Sequence, residues 1–210
     1  MRDPGNIRAV EDAGADMMGF ICWDGSSRYV GATPAYMPCC TKVGVFVNPT
    51  LQYISRMARA LNLDAIQLHG NETPEFCQQA RQRTGLAIIK AFGMSGVADL
   101  VMTESYADAA DYFLFDTRCK CVGGSGRQFD WDILACYKGK TKFILSGGIG
   151  PGDAETLSTW GHPMCIGIDI NSRFEDAPAL KNVDKVREFI SKMRDECHYK
   201  EREDASARGK

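Results

Sequence analysis

The segment 42–69, KVGVFVNPTLQYISRMARALNLDAIQLH, decides the fold because it places one helix pattern between two strand patterns. The outer runs, 42–47 and 65–69, are rich in apolar and β-branched residues, which is typical of strands covered on both faces. The middle run, 50–61, has an apolar stripe at helical spacing, formed by Leu51, Ile54, Met57, Ala58 and Leu61. A strand, a helix and a second strand in this order indicate a parallel βαβ unit.

The same unit recurs along the rest of the chain. Apolar runs alternate with helix patterns, one of which starts at the cap Thr73-Pro74. No G-x-G-x-x-G motif follows an early strand pattern, and polar residues gather where the runs end, so we predict an α/β protein with a (β/α)8 TIM barrel rather than a doubly wound sheet. The runs occupy 16–21, 42–47, 65–69, 87–92, 112–117, 143–148 and 165–170.

The N-terminal residues predict a helix that has no strand before it. Asp3 and Pro4 form a helix start, and Ile7, Val10 and Ala13 supply an apolar side. A closed barrel of this kind has one strand more than the patterns found here. We therefore expect this chain to lack the first strand of the barrel, with that strand encoded immediately upstream of Met1.

Composition limits the class of protein. The 25 Lys and Arg nearly balance the 27 Asp and Glu, so no excess of positive charge indicates nucleic acid, and no apolar run suits a membrane span. The charged N-terminus does not fit a signal peptide, and we expect a cytoplasmic protein. The nine cysteines include no C-x-x-C pair, which argues against disulfides or a zinc site. We expect one barrel domain over 1–193 and a disordered polar tail over 194–210.

Candidate functional residues follow the strand patterns, where a barrel builds its active site. Asp116 ends the run 112–117, and a carboxyl at an apolar rim suits a general acid, although it could equally cap the next loop. Arg28 in SSRYV (26–30) could bind a carboxylate, although a lone arginine is more often solvated. The glycine-rich segment 123–131 could approach a ligand or act as a flexible connector.

Two neighbouring strand ends predict a phosphate site. The segments SGGI (146–149) and DINSRFE (169–175) place backbone N–H groups and small hydroxyls at adjacent rims. Such rims, with a short helix nearby, form the recurrent phosphate site of these barrels. We therefore expect a small phosphorylated molecule as the substrate.

Taken in order, these motifs resemble the phosphoribosylanthranilate isomerase family of tryptophan biosynthesis. The resemblance runs from Arg2 to about Phe189, and it is specific because many short motifs fall in register. They are RDPGNIRAVEDAGAD (2–16), SSRYV (26–30), KVGVFVNP (42–49), DAIQLHGNE (64–72), IIKAF (88–92), FLFDT (113–117), GGSGRQFDW (123–131), ILSGGI (144–149) and GIDINSRFE (167–175).

The resemblance implies a role for each matching residue. Asp116 matches the general acid that protonates the ribose ring oxygen, and Arg28 matches the arginine that holds the anthranilate carboxylate. His69 matches a residue with either a structural hydrogen-bonding role or a catalytic one, and Asp169 matches a residue that orients the site. The residues matching the phosphate grip are Gly147, Gly148, Asn171, Ser172 and Arg173.

The implied reaction is an Amadori rearrangement. N-(5′-phosphoribosyl)anthranilate opens to an iminium ion, a base removes the C2 proton, and the enolamine tautomerises to 1-(2-carboxyphenylamino)-1-deoxyribulose 5-phosphate. The substrate nitrogen serves as the electron sink, so we expect no metal and no organic cofactor. As partners we expect the phosphorylated substrate, neither nucleic acid nor membrane, and a monomer or homodimer for the full-length protein.

This sequence departs from the family at the general base. The family uses a cysteine in a K-x-C-G stretch that comes before the residues matching Met1 and Arg2, so no position here inherits the role. A start codon assigned at an internal Met would explain the difference. Cys22 is a weak substitute because a misplaced thiol loses much of its advantage in proton transfer. We expect the chain as given to be nearly inactive, and to be poorly soluble or dimeric through exposed strand edges.

Two smaller departures and two rival functions complete the sequence interpretation. Ser27 stands where the family often has proline, and Ala179 stands where it usually has a glycine near the phosphate, which predicts weaker phosphate binding. One rival is a related phosphate-binding barrel isomerase or synthase. The other is a non-catalytic barrel remnant that binds phosphoribosyl ligands.

Overall fold

Seven parallel strands form the main sheet, and their spatial order follows the chain, so each strand pairs with the one before it. The computed structural model describes residues 1–117 and 128–194. Each predicted strand pattern contains a strand, which confirms the α/β class and the parallel sheet. The strands are β1 (Met17–Ile21), β2 (Thr41–Phe46), β3 (Ala65–Leu68), β4 (Ala87–Met94), β5 (Tyr112–Thr117), β6 (Phe143–Leu145) and β7 (Cys165–Ile168).

Capping residues set where the helices begin. The Asp3 carboxylate accepts a hydrogen bond from the Asn6 N–H at 2.7 Å, and the Thr73 hydroxyl accepts one from the Phe76 N–H at 3.3 Å. Both predicted helix starts are therefore confirmed. The described helices are α1 (Pro4–Asp12), α2 (Leu51–Ala60), α3 (Pro74–Thr84), α4 (Ala154–Thr159) and α5 (183–194).

The regular alternation of strands with α-helices fails in the second half of the described chain. Val97–Tyr106, after β4, and Trp131–Cys136, before β6, are 3-10 helices. In the first of these the buried residues are Leu100 and Thr103. Their spacing of three residues fits a helix with three residues per turn, whereas two β-branched valines disfavour a longer α-helix.

The two faces of the sheet pack in separate layers, and this separation fixes where Asp116 lies. Phe113 and Phe115 on β5 belong to the large core between the sheet and the helices. Leu114, on the opposite face of the same strand, belongs to a smaller buried cluster formed by Val43, Ala65, Ile89, Ala91, Leu114 and Ile144. Because side chains alternate along a strand, Asp116 lies on the face of Leu114 and ends that inner layer.

Within the described residues, the sheet is open between β1 and β7. Among the strands, β1 pairs only with β2 and β7 pairs only with β6, while Ile21 at the end of β1 also forms an isolated bridge with Tyr29. Each edge strand exposes one large apolar side chain, Met17 at 42% and Ile166 at 48%. The terminal amine of Met1 donates a hydrogen bond to the Gly19 carbonyl at 2.9 Å and so occupies part of the β1 edge.

A small hairpin follows β7 and contacts the N-terminal helix. It consists of β8 (Glu175–Ala177) and the antiparallel β9 (Leu180–Lys181). The Asn6 side chain bonds the backbone of Lys181 twice, by donating to its carbonyl at 2.8 Å and by accepting from its N–H at 2.8 Å. These bonds hold the hairpin beside α1. None of the described helices is long and apolar enough to cross a bilayer.

Candidate active site

Asp116 and His69 meet at the mouth of the inner layer, at the ends of β5 and β3. Their side chains are 30% and 34% exposed, and the His69 Nε2 lies 3.3 Å from the Asp116 Oδ2. The other carboxylate oxygen, Oδ1, accepts a hydrogen bond from the Thr117 N–H at 2.7 Å. One face of the Asp116 carboxyl is thus held by the protein, while the group remains open to a ligand.

Gln67 fixes the proton arrangement of His69. Its Nε2 lies 2.7 Å from the His69 Nδ1, and an amide nitrogen can only donate, so Nδ1 accepts and carries no proton. The neutral ring then has its proton on Nε2, which is the nitrogen that faces Asp116. The Nε2 of His69 therefore faces the Asp116 carboxylate at 3.3 Å, close enough to influence its position.

A second carboxyl, Asp169, follows β7 and lies in the same electrostatic environment. The Ser146 hydroxyl, which follows β6, donates to the Asp169 Oδ2 at 2.8 Å. Burial raises the pKa of Asp169, and the nearby negative charge of Asp116 raises it further, against the opposing effect of the Ser146 hydrogen bond. Asp169 thus holds a proton to a higher pH than an ordinary aspartate does.

The turn at Gly147-Gly148 needs glycine for two reasons. Both residues have positive φ, 95° and 67°, a region that other residues adopt with strain. A Cβ on Gly147 would also collide with Thr117, lying 2.5 Å from its backbone nitrogen, and would approach the Asp116 Oδ1 at 3.0 Å. The turn therefore packs directly against the end of β5, beside the carboxyl of Asp116.

The backbone N–H groups of this turn have no hydrogen-bond acceptor among the described residues. Neither Gly147 nor Gly148 donates a backbone hydrogen bond to any described residue. The carbonyl of Gly148 accepts from the Gln128 side chain at 3.2 Å, which also donates to Asp153 at 2.6 Å. These bonds hold the turn through its carbonyl side and do not use its N–H groups.

The Asn171-Ser172-Arg173 segment lies beside that turn. It opens the 3-10 turn Ser172–Phe174, which the fully buried Phe174 anchors in the core. A Cβ on Gly150 would meet the Arg173 Cδ at 3.0 Å, so the arginine crosses the loop after β6 at close range. The two predicted phosphate-binding segments are therefore neighbours in space.

The structure gives Arg28 a partner that the sequence interpretation did not include. Its Nε and Nη2 lie 2.8 and 2.7 Å from the Oε2 of Glu175, on the hairpin after β7. Glu175 therefore occupies one edge of the guanidinium fork, and binding of a substrate carboxylate by Arg28 stays a prediction. The Arg28 Nη1 makes no hydrogen bond to a described residue.

Glu175 also binds Lys181. Its Oε1 accepts from the Lys181 Nζ at 3.0 Å and from the Ala179 N–H at 3.2 Å, while Lys181 in turn donates to the Asn171 Oδ1 at 2.7 Å. Burial opposes ionisation of Glu175, but the hydrogen bonds and charges of Arg28 and Lys181 outweigh it and lower its pKa. The carboxylate is therefore ionised and shared by two cations.

Cys22 is unsuited to act as a base. Its thiol is buried beyond the end of β1 and contacts the Phe20 carbonyl at 3.5 Å. Burial raises the pKa of Cys22 to about 12, so almost none of it is thiolate near neutral pH. No group of three or more metal-ligating side chains occurs among the described residues.

Sequence reasoning overlooked Glu175 and Ser146, although both stood within quoted motifs. Glu175 is the last residue of DINSRFE. A glutamate directly after a predicted anion-binding segment is a signal in the sequence, because its negative charge there calls for a cation as partner. Residues 123–127 of the predicted glycine-rich loop, and residues 195–210 of the predicted tail, lie outside the described residues.

The fold and the rim together define a class of protein. It is a (β/α)-barrel enzyme with a carboxyl group at the end of one strand and a glycine turn after the next. The family model of N-(5′-phosphoribosyl)anthranilate (PRA) isomerase matches residues 2–192, and this chain belongs to that family.

Individual relatives agree with the family match. The N-(5′-phosphoribosyl)anthranilate isomerase of Phocaeicola vulgatus is 48% identical over 195 residues, covering 92% of this chain and 95% of that protein. The crystal structure of phosphoribosyl anthranilate isomerase from Thermotoga maritima superposes with a TM-score of 0.77 at 28% identity, covering 92% of this chain and 95% of that one. A further crystal structure of phosphoribosyl anthranilate isomerase, in complex with reduced 1-(o-carboxyphenylamino)-1-deoxyribulose 5-phosphate, has a TM-score of 0.75 at 26% identity. The match covers 92% of this chain and 98% of that one.

Proposed function

We propose that this chain binds N-(5′-phosphoribosyl)anthranilate and isomerises it to 1-(2-carboxyphenylamino)-1-deoxyribulose 5-phosphate in tryptophan biosynthesis. The family match supports the reaction, and the solved relative with a bound product analogue supports a small phosphorylated ligand. The observation that carries the proposal is the contact between the Asp116 carboxyl and the Gly147 turn, since it joins an acid to an anion site. We also propose a cytoplasmic location, which suits the balanced charge of the chain.

In this proposal, Asp116 protonates the ring oxygen of the ribose as the ring opens. The proton moves from the Asp116 carboxyl to the oxygen, while the bond between that oxygen and C1 breaks and the anthranilate nitrogen becomes the iminium nitrogen. His69, whose Nε2 lies 3.3 Å from Asp116, helps to position the carboxyl. A positioned acid of this kind contributes roughly 10²–10⁴-fold to the rate.

The phosphate lies, in this proposal, between the turn after β6 and the segment after β7. The free N–H groups of Gly147 and Gly148 donate to its oxygens, and Ser172 and Arg173 complete the grip together with Asn171. Backbone N–H groups suit a phosphate because they are fixed in place and carry partial positive charge. This grip sets the distance between the ribose ring and Asp116.

In the second step a general base takes the C2 proton of the iminium ion, the C2–H electron pair forms the double bond of the enolamine, and the nitrogen becomes neutral. We assign this base to none of the described residues. Cys22 does not supply the base, because its pKa near 12 leaves it protonated. We propose that Asp169 orients the substrate through a hydrogen bond, since its raised pKa favours a carboxyl that can still donate. Arg28 binds the substrate carboxylate with the edge of its guanidinium that Glu175 leaves open.

An assay of purified protein tests the proposal. Substrate and product are separated by chromatography, and the same protein is titrated with the reduced product analogue by calorimetry. Turnover that falls roughly 10²–10⁴-fold in D116N, with analogue affinity preserved, supports the proposal. The control is D184N, which changes an aspartate whose side chain is 94% exposed.

Two results would contradict the proposal. Analogue binding without turnover that is not rescued when a K-x-C-G strand is added before Met1 would favour the non-catalytic phosphoribosyl-binding function. Turnover of another phosphoribosyl substrate, with none of the anthranilate compound, would favour a related barrel isomerase or synthase. The family match makes both results unexpected.

A further inference from the structure

The Arg28–Glu175 pair has a geometry that matters for how Arg28 meets a ligand. Glu175 contacts Nε and Nη2, which form the side edge of the guanidinium, with Nη2 at 2.7 Å. A guanidinium carries five N–H donors in a flat fork, so the end edge, formed by Nη1 and the second Nη2 proton, is not used by this contact. That edge has the shape to bind a second carboxylate in bidentate fashion.

The position of the pair shows that it is not a solvated surface contact. The Arg28 side chain is 13% exposed, and that of Glu175 is 4% exposed. Arg28 lies in the loop after β1, and Glu175 begins β8 in the hairpin after β7; β1 and β7 are the two edge strands of the described sheet. Glu175 therefore fixes Arg28 to a rim element that also carries Asn171 and Ser172.

The local charge also favours an anionic ligand. The single carboxylate of Glu175 is shared by Arg28 and by Lys181, whose side chain is 11% exposed. Arg28, Lys181 and Glu175 together carry one net positive charge. A monoanionic carboxylate on the ligand would neutralise it in an environment of low dielectric.

We propose that Glu175 is a positioning residue for carboxylate recognition: it holds the side edge of the Arg28 guanidinium so that the end edge binds the aryl carboxylate of the substrate. This inference rests on the proposed function, because it uses the anthranilate carboxylate. Lys181 supplies the second cation that keeps the cluster positive when Glu175 is ionised. Without Glu175, the Arg28 guanidinium keeps no hydrogen-bond partner among the described residues.

Calorimetry with two ligands tests the inference. The probes are reduced 1-(2-carboxyphenylamino)-1-deoxyribulose 5-phosphate and the same compound without its carboxyl group. The unsubstituted chain should bind the carboxylated compound about 10- to 100-fold more tightly, the range of a charge-assisted bidentate contact. In E175Q this preference should fall to about 3-fold or less, while affinity for the compound without the carboxyl stays unchanged.

The two ligands separate positioning from a structural role. A residue that only stabilises the fold would weaken both ligands equally, so a preference preserved in E175Q overturns the inference. Equal affinity of the unsubstituted chain for both ligands also overturns it. Binding of neither ligand by the unsubstituted chain instead refutes the proposed function, so the two failures are distinguishable.

Two further variants complete the experiment. E188Q makes the same substitution at a glutamate whose side chain is 66% exposed and bonded to Lys192, and it should keep the full preference. E175D keeps the charge but shortens the side chain, so it should show an intermediate preference. If E175Q does not fold, as judged by circular dichroism, E175D decides the outcome. An E175D protein that prefers the carboxylated ligand as strongly as the unsubstituted chain does would overturn the inference.

Discussion

At the scale of single residues, Asp169 combines a functional position with an electrostatic penalty. Its pKa is raised, first by burial and then by the charge of Asp116. When a carboxyl has a higher pKa in the folded chain than in the unfolded chain, the folded protein loses stability as pH rises from the unfolded-state pKa to the folded-state pKa. The folded protein is thus less stable at neutral pH than it would be with an uncharged side chain there.

Replacing Asp169 with asparagine should remove this penalty. D169N should raise the free energy of unfolding at pH 7, because no charge is buried, while its amide oxygen can still accept from Ser146. The gain should vanish below the ordinary aspartate pKa of 3.8, because the Asp169 carboxyl of the parent chain is then protonated in both the folded and the unfolded protein. Urea unfolding between pH 4 and 8 measures the trend, and a gain that does not grow with pH would contradict the assignment.

Ala179 presents a different strain, in the backbone. Its φ of 66° lies in the left-handed region, where an L residue other than glycine, Asn or Asp costs roughly 1–2 kcal/mol. Its N–H donates to Glu175 at 3.2 Å, so the sequence expectation of a direct effect on phosphate receives no support from its hydrogen bonds. The residue instead closes the hairpin that carries Glu175.

Ala179→Gly should therefore stabilise the protein. Relief of the strain exceeds the extra entropy of glycine in the unfolded chain, and we expect a gain of about 0.5–1 kcal/mol in the free energy of unfolding. A80G, at an equally buried alanine inside α3, should instead lose about 1 kcal/mol. Urea titration of both variants checks the prediction, and two losses would refute it.

At the scale of elements, a buried ion pair holds the loop between β3 and α3. The Lys90 Nζ on β4 donates to the carbonyls of Leu68 and Gly70 at 3.1 and 2.8 Å and to the Glu72 Oε2 at 3.1 Å. Glu72 accepts in addition from the Gly70 N–H at 2.9 Å. His69 lies between Leu68 and Gly70, whose carbonyls bind Lys90. The network therefore holds in place the residue whose Nε2 faces Asp116.

Breaking the pair should cost far more than losing a surface contact. K90M leaves the Glu72 carboxylate buried without its cation, since the two side chains are 3% and 2% exposed, and we expect a loss of about 3–5 kcal/mol. The double variant K90M/E72Q should recover part of that loss. K192M, at an exposed pair on α5, should change stability by less than about 0.5 kcal/mol. Chemical denaturation measures all three variants, and equal losses for K90M and K192M would contradict the role.

The elements also show what sequence can predict. Strand positions, the starts of α1 and α3, and the place of Asp116 follow from local patterns, because alternation and caps act over a few residues. The 3-10 helix Val97–Tyr106 was not predicted, since its spacing of buried residues depends on what packs against it. The pairing of Arg28 with Glu175 was not predicted either, because 147 residues separate them and no local pattern records such a contact.

At the scale of the whole molecule, the open sheet predicts self-association. In the part of the chain that the structure describes, β1 and β7 each have one strand neighbour and expose Met17 and Ile166. Unpaired strand edges with apolar side chains tend to pair with other chains. We expect the 210-residue chain to form dimers or larger species at micromolar concentration.

Lysine at an edge strand should reduce that association. M17K and I166K should shift sedimentation velocity profiles toward the monomer, because a charged edge resists strand pairing. The control is V101K, at a residue 67% exposed on the 3-10 helix after β4, which should leave the profile unchanged. A monomeric parent chain at all concentrations would refute the prediction.

The consecutive order of the strands has a consequence for how the molecule is made. During synthesis, the strand that precedes each new strand in the sheet has already left the ribosome. β2 can therefore pair with β1, and β3 with β2, while translation continues. The salt bridge from Arg28 to Glu175 joins residues 147 positions apart. The Arg28–Glu175 pair therefore forms late, after most of the nascent polypeptide has emerged.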